Sequence, residues 1–103
     1  MRLTFPVRRI ADEIGGGVAE VTTCSSSSWR SAVFEGTRHE LTMRWRGEEE
    51  AGLGVRMLAL LDEDAIDVPG HKVTEVAVLR SQLRASPPLL TATVCVDLLK
   101  DGC

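Results

Sequence analysis

Hydrophobic and polar residues alternate most clearly over 37–46, TRHELTMRWR. Successive side chains of a strand point to opposite faces. One face of this strand would carry His39, Leu41, Met43 and Trp45, and the other Arg38, Glu40, Thr42, Arg44 and Arg46. The first row reads as core and the second as a basic, solvated row. Residues 89–100 alternate in the same way, with Leu90, Ala92, Val94, Val96 and Leu98 against Thr91, Thr93, Cys95 and Asp97. One side of that strand is buried, and the other meets water or a partner. Residues 72–80, KVTEVAVLR, are β-branched and apolar on both faces, which predicts a central strand.

Elsewhere the spacing becomes helical. Val7, Ile10, Ala11 and Ile14 recur at i, i+3, i+4 and i+7, with Pro6 suited to the first turn and Gly15, Gly16 and Gly17 to the stop. This predicts a short helix over about 7–14, the rival reading being one extended arm over 2–14. The main helix is expected over about 48–62. Glu48, Glu49 and Glu50 favour its positive end, and Leu53, Met57, Leu60 and Leu61 form its apolar stripe, with Val55 and Leu58 beside it. Gly52 and Gly54 each cost it ~1 kcal/mol relative to Ala unless they permit a close approach to the sheet. A short strand is expected over 2–5 and another over 18–24. The serine run 25–28 reads as a loop. Residues 29–34 would pair with 38–46 around a turn at Glu35, Gly36 and Thr37, and Ser86, Pro87 and Pro88 form a further loop. No internal repeat or linker divides residues 1–103, so a single small domain is expected. Its class is α+β, a mostly antiparallel sheet with segregated helices, and the element order is compatible with a ferredoxin-like βαββαβ core.

Composition narrows the function more than it defines it. Two Trp, two Phe and no Tyr leave an aliphatic core and little material for stacking on bases. A net charge of −3 argues against wholesale nucleic-acid binding. No signal-like segment and no run of ~20 apolar residues is visible, so a cytoplasmic protein without membrane association is expected. Cys24, Cys95 and Cys103 are odd in number and widely spaced, which predicts no disulfide. The residue spacings that bind zinc are missing, so no metal and no cofactor is expected. The terminal Cys103 lacks the three following residues of a prenylation box.

Four groups of residues could carry chemistry. His39 and Glu40 are adjacent, so on a strand they face apart and cannot share a proton. His39 reads as a core-edge histidine bonded to a backbone carbonyl. His71 follows Pro69 and Gly70, near Asp67, with no third ligand in sight. Cys95 has no adjacent activating group. The basic row Arg38, Arg44 and Arg46 is interrupted by Glu40, which is expected to pair with it. The serine run lacks the glycines and lysine of a phosphate-binding loop.

The leading expectation is therefore a non-enzymatic contact module, a homodimer or a binder of a protein partner. Its interface would include Leu89, Thr91, Thr93, Cys95 and Asp97, because 89–99 reads as a sheet edge. The alternative is a small-ligand groove between helix and sheet, lined by His39, Met43 and Trp45 with Arg44 and His71 nearby. An enzyme using His39 or His71 ranks third.

Overall fold

The computed structural model describes residues 3–100, Lys100 by its backbone alone. Of the strand expected over 2–5, residue 2 lies outside them. Leu3 and Thr4 are irregular and Phe5 begins a helix, so no strand forms at 3–5. Cys103 lies wholly outside the described residues. In chain order the elements are α1 (Phe5–Gly15), β1 (Glu20–Arg30), β2 (Glu35–Arg46), α2 (Glu48–Ala59), a short 3₁₀ turn (Glu63–Ala65), β3 (His71–Ala85) and β4 (Pro88–Lys100). The four strands form one sheet in the order β1-β2-β4-β3, and every neighbouring pair is antiparallel. The class is α+β, as the sequence predicts.

Both helices pack on one face of the sheet. Val7, Ile10, Ala11 and Ile14 of α1 are buried there, against the inner row Leu41, Met43, Trp45, Leu90, Ala92, Val94, Val96 and Leu98. The period-2 rows of β2 and β4 thus meet in register, Leu41 opposite Val94 and Trp45 opposite Leu90. Pro6 occupies the first turn of α1, and Gly16 closes it at φ +66°, donating its N–H to Asp12 O at 3.0 Å. A left-handed residue at this position is the usual glycine stop.

The helix α2 differs from its predicted stripe. Its buried positions are Ala51 and Gly54, with Leu58 partly buried against the core, while Leu60 is 75% exposed. The reason is steric. The indole of Trp45 lies directly under Gly54, where a Cβ would sit 2.6 Å from Leu90 Cδ2 and 2.7 Å from Trp45 Cδ2. The small residues face the sheet, and the larger apolar ones fall to the flanks.

Four further expectations change. The serine run is not a loop: Ser25, Ser26, Ser27 and Ser28 pair with Glu40, His39, Arg38 and Thr37. The hairpin turn lies at 31–34 rather than at Glu35, Gly36 and Thr37. Ser31 closes it, its N–H donating to Phe34 O at 2.7 Å while Phe34 N–H donates to Ser31 Oγ at 3.1 Å. The strand read as central, β3, stands at an edge, and the strand read as an edge, β4, lies between β2 and β3.

Candidate functional site

The register places His39 on the helix-covered face opposite Ser26. Ser26 Oγ lies 2.7 Å from His39 Nδ1, and Thr37 Oγ1 lies 2.9 Å from Nε2. The ring is held by two hydroxyls, not by the carbonyl expected from sequence. One nitrogen accepts and the other donates, as a neutral imidazole requires. Burial pushes the His39 pKa below its ordinary value, and the nearby His71 pushes it the same way, against a smaller opposing pull from Asp97. A base that takes a proton from Ser26 must become imidazolium. This environment disfavours that charge, and the Ser26–His39 bond links β1 to β2.

The other residues proposed for a ligand groove do not share one site. Met43 and Trp45 are wholly buried, and Trp45 Nε1 donates to Gly15 O at 3.2 Å. Arg44 projects from the opposite face, where Arg44 Nη2 lies 3.0 Å from Glu20 Oε1. His71 begins the edge strand β3, with Nδ1 3.2 Å from Pro69 O. Among the described residues, no group of three His, Cys, Asp or Glu side chains is arranged to hold a metal.

The second face of the sheet carries no helix. On it lie Leu89, Thr91, Thr93, Cys95 and Asp97 of β4, aligned with Arg46, Arg44, Thr42, Glu40 and Arg38 of β2. Thr93 and Asp97 are nonetheless buried, at 2% and 6% exposure, by neighbours on the same face. Arg38 grips Asp97 with two bonds, Nε to Oδ1 at 2.7 Å and Nη2 to Oδ2 at 2.9 Å. This paired geometry raises the guanidinium pKa above its ordinary value, first through the hydrogen bond and then through the charge. Glu20 takes both Arg44, at 3.0 Å, and Arg46, at 3.5 Å, and those bonds hold its carboxyl below the usual range. The basic row is thus neutralised by Asp97 and Glu20, not by Glu40. Thr42 Oγ1 and Thr93 Oγ1 are 3.0 Å apart, and Arg80 Nε donates to Thr93 Oγ1 at 3.3 Å. Burial raises the Cys95 thiol pKa, with Asp97 adding to it, which disfavours the thiolate that a nucleophile needs.

The apolar surface lies elsewhere, along β3. Over 72–80 its composition is that of a strand covered on both faces, yet among the described residues β3 stands at an edge of the sheet. Its inner row, Val76, Val78, Ser81 and Leu83, continues the core face toward the free edge. Val78 is 40% exposed, Leu79 52% and Leu83 61%, and Val55 on the facing side of α2 is 42% exposed. Val55, Gly52 and Leu83 line one notch between helix and strand, with Ala85 and Pro88 also along it. Sequence reading did not find this surface, although the signal was present. The apolar run 72–80 predicts cover, whereas in the fold it marks surface left without it. No known protein family, curated protein or solved structure matches the chain.

Proposed function

We propose that this protein is a contact module that docks an extended segment of a protein at the free edge of β3 and in the notch beside α2. One observation carries the reading: the edge strand β3 leaves Val78, Leu79 and Leu83 exposed along its length. Unpaired backbone groups along an edge give a strand something to bond. The exposed Val55, Val78 and Leu83 give its alternate side chains something to cover. Of the devices that protect a solvated edge, β3 has charges and two bulges but no proline, and its apolar side chains remain uncovered. A reducing, cytoplasmic setting belongs to the same reading. Cys24 and Cys95 are free, and they stand on opposite faces of the sheet, since Cys24 pairs with Leu41 and Cys95 with Glu40. Nucleic acid is a poor fit, because three of the arginines on the open face already hold carboxylates.

The test is selection of short peptides from a displayed library, followed by amide shift mapping on the labelled protein. Binders should alternate apolar and polar residues, shift β3 and the facing side of α2, and lose affinity for the Leu83→Lys variant. Binders that shift the open face instead, or that bind Leu83→Lys equally well, would sink the proposal.

A further inference from the structure

We infer that the segment docked on β3 is β3 of a second copy, paired antiparallel about a two-fold axis between Leu79 and Arg80. This rests on the edge-docking reading and names its occupant. The argument is one of register. Bulges interrupt β3 between Val73 and Glu75 and again between Val78 and Arg80. Regular strand is therefore available over 75–78 and 80–85. A two-fold axis between Leu79 and Arg80 lays the first stretch of one copy on the second stretch of the other. It sets Glu75 opposite Arg84, Val76 opposite Leu83, Ala77 opposite Gln82, and Val78 opposite Ser81.

Each of these pairs falls on a common face. Glu75, Ala77, Gln82 and Arg84 align with Asp97, Cys95, Thr91 and Leu89 of the open face, while Val76, Val78, Ser81 and Leu83 align with Val96, Val94, Ala92 and Leu90 of the core face. Directly opposed residues of antiparallel strands must share a face. Shifting the axis by one residue either way sets an arginine, Arg80 or Arg84, opposite Ala77, and an axis between Arg80 and Ser81 also sets an open-face residue against a core-face one. It also leaves Glu75 opposite Gln82 or beyond the end of the strand.

Charge selects between these registers. Within its own chain Glu75 stands directly opposite Asp97, a like-charge pairing that is unfavourable. Asp97 is already held by Arg38. Among the described residues neither Glu75 nor Arg84 makes an ion pair. The two-fold register gives each of them the other, twice per dimer, on the open face. On the core face it puts Val76 of one copy against Leu83 of the other, next to the notch that holds Val55. Two sheets of four strands would then run on as one sheet. A stable interface needs ~1,000 Å² in total, so the contact must include both notches as well as the strands.

The experiment is sedimentation equilibrium of the full chain, wild type against charge swaps, with circular dichroism to verify folding. Wild type should dimerise. Glu75→Arg alone and Arg84→Glu alone each turn two attractions into two repulsions and should weaken the dimer about tenfold or more. The double swap Glu75→Arg with Arg84→Glu should restore it, and an equimolar mixture of the two single variants should form a heterodimer. A monomeric wild type at high micromolar concentration would overturn the second copy as occupant, and peptides that still bound β3 would leave the edge-docking reading standing. A dimer indifferent to both swaps, with shifts on the open face, would overturn both.

Discussion

Two glycines of α2, two residues apart, are expected to respond to alanine with opposite signs. A Cβ at Gly52 meets nothing within 4 Å, so Gly52→Ala should stabilise by up to ~1 kcal/mol through helix propensity alone. The same change at Gly54 drives a methyl into Trp45 and Leu90. The overpacking cost, ~1–3 kcal/mol, should exceed that gain. Urea denaturation of the two variants decides this, and equal effects would mean that α2 does not rest on Trp45. Trp45→Ala itself should cost ~3–5 kcal/mol, the range for removing a fully buried aromatic. His39 provides the pH dependence. Its folded pKa lies below its ordinary value, so between that depressed pKa and about 6.5 the unfolded chain binds more protons than the folded one. Stability from this group is complete above about 6.5 and is lost as pH falls toward the folded value. Thermal melts of wild type should fall across that window more than those of His39→Gln. Parallel curves would remove His39 as the cause.

At the scale of elements, what was legible followed from periodicity. The inner rows of β2 and β4 were readable because alternation over many residues has one structural meaning. The short helix α1 was readable because proline and glycine punctuate it. The serine run was misread because its stabilising partner is remote: Ser26 belongs in a strand through His39, across the hairpin. Edge and centre were exchanged between β3 and β4 for a related reason. Apolarity reports what a side chain would prefer to touch, whereas strand order is set by pairing between residues far apart in sequence. The candidate site followed the same divide, since His39, Met43 and Trp45 could be placed on one row but not beneath two helices. Hydrogen exchange tests the corrected order. β4 pairs on both sides and is buried, so the amides of 92–96 should exchange only through global opening. The amides of 25–28, on an exposed edge, should exchange through local fraying at much lower free energy. Equal protection in the two segments would contradict the strand order.

At the scale of the whole molecule, a helix followed by a hairpin occurs twice, α1-β1-β2 and α2-β3-β4, and the second strands of the two hairpins meet antiparallel at the centre. The helix contacts repeat with the same spacing, Val7, Ile10 and Ile14 against Ala51, Gly54 and Leu58. This recurrence is invisible as sequence similarity, because one helix presents bulky residues and the other presents small ones to Trp45. The core is shared and not doubled. Trp45 of the first half bonds Gly15 of its own helix and packs under Gly54 of the second, and β2 pairs with β4 from Gly36–Leu99 to Arg46–Leu89. Units of about 50 residues bury a smaller share of their surface and are marginal alone, and here each would also expose the strand that the other covers. A chain cut between Arg46 and Gly47 should therefore give two fragments that are each unfolded alone. The break lies at the junction of β2 and α2, where Gly47 N–H donates to Pro88 O at 3.1 Å. Mixed at equal concentration, the fragments should recover the circular dichroism and amide dispersion of the intact chain, with a midpoint that depends on concentration. Cooperative folding of fragment 47–103 by itself would show that β4 does not need β2, and the shared core would no longer explain why the two halves stay together.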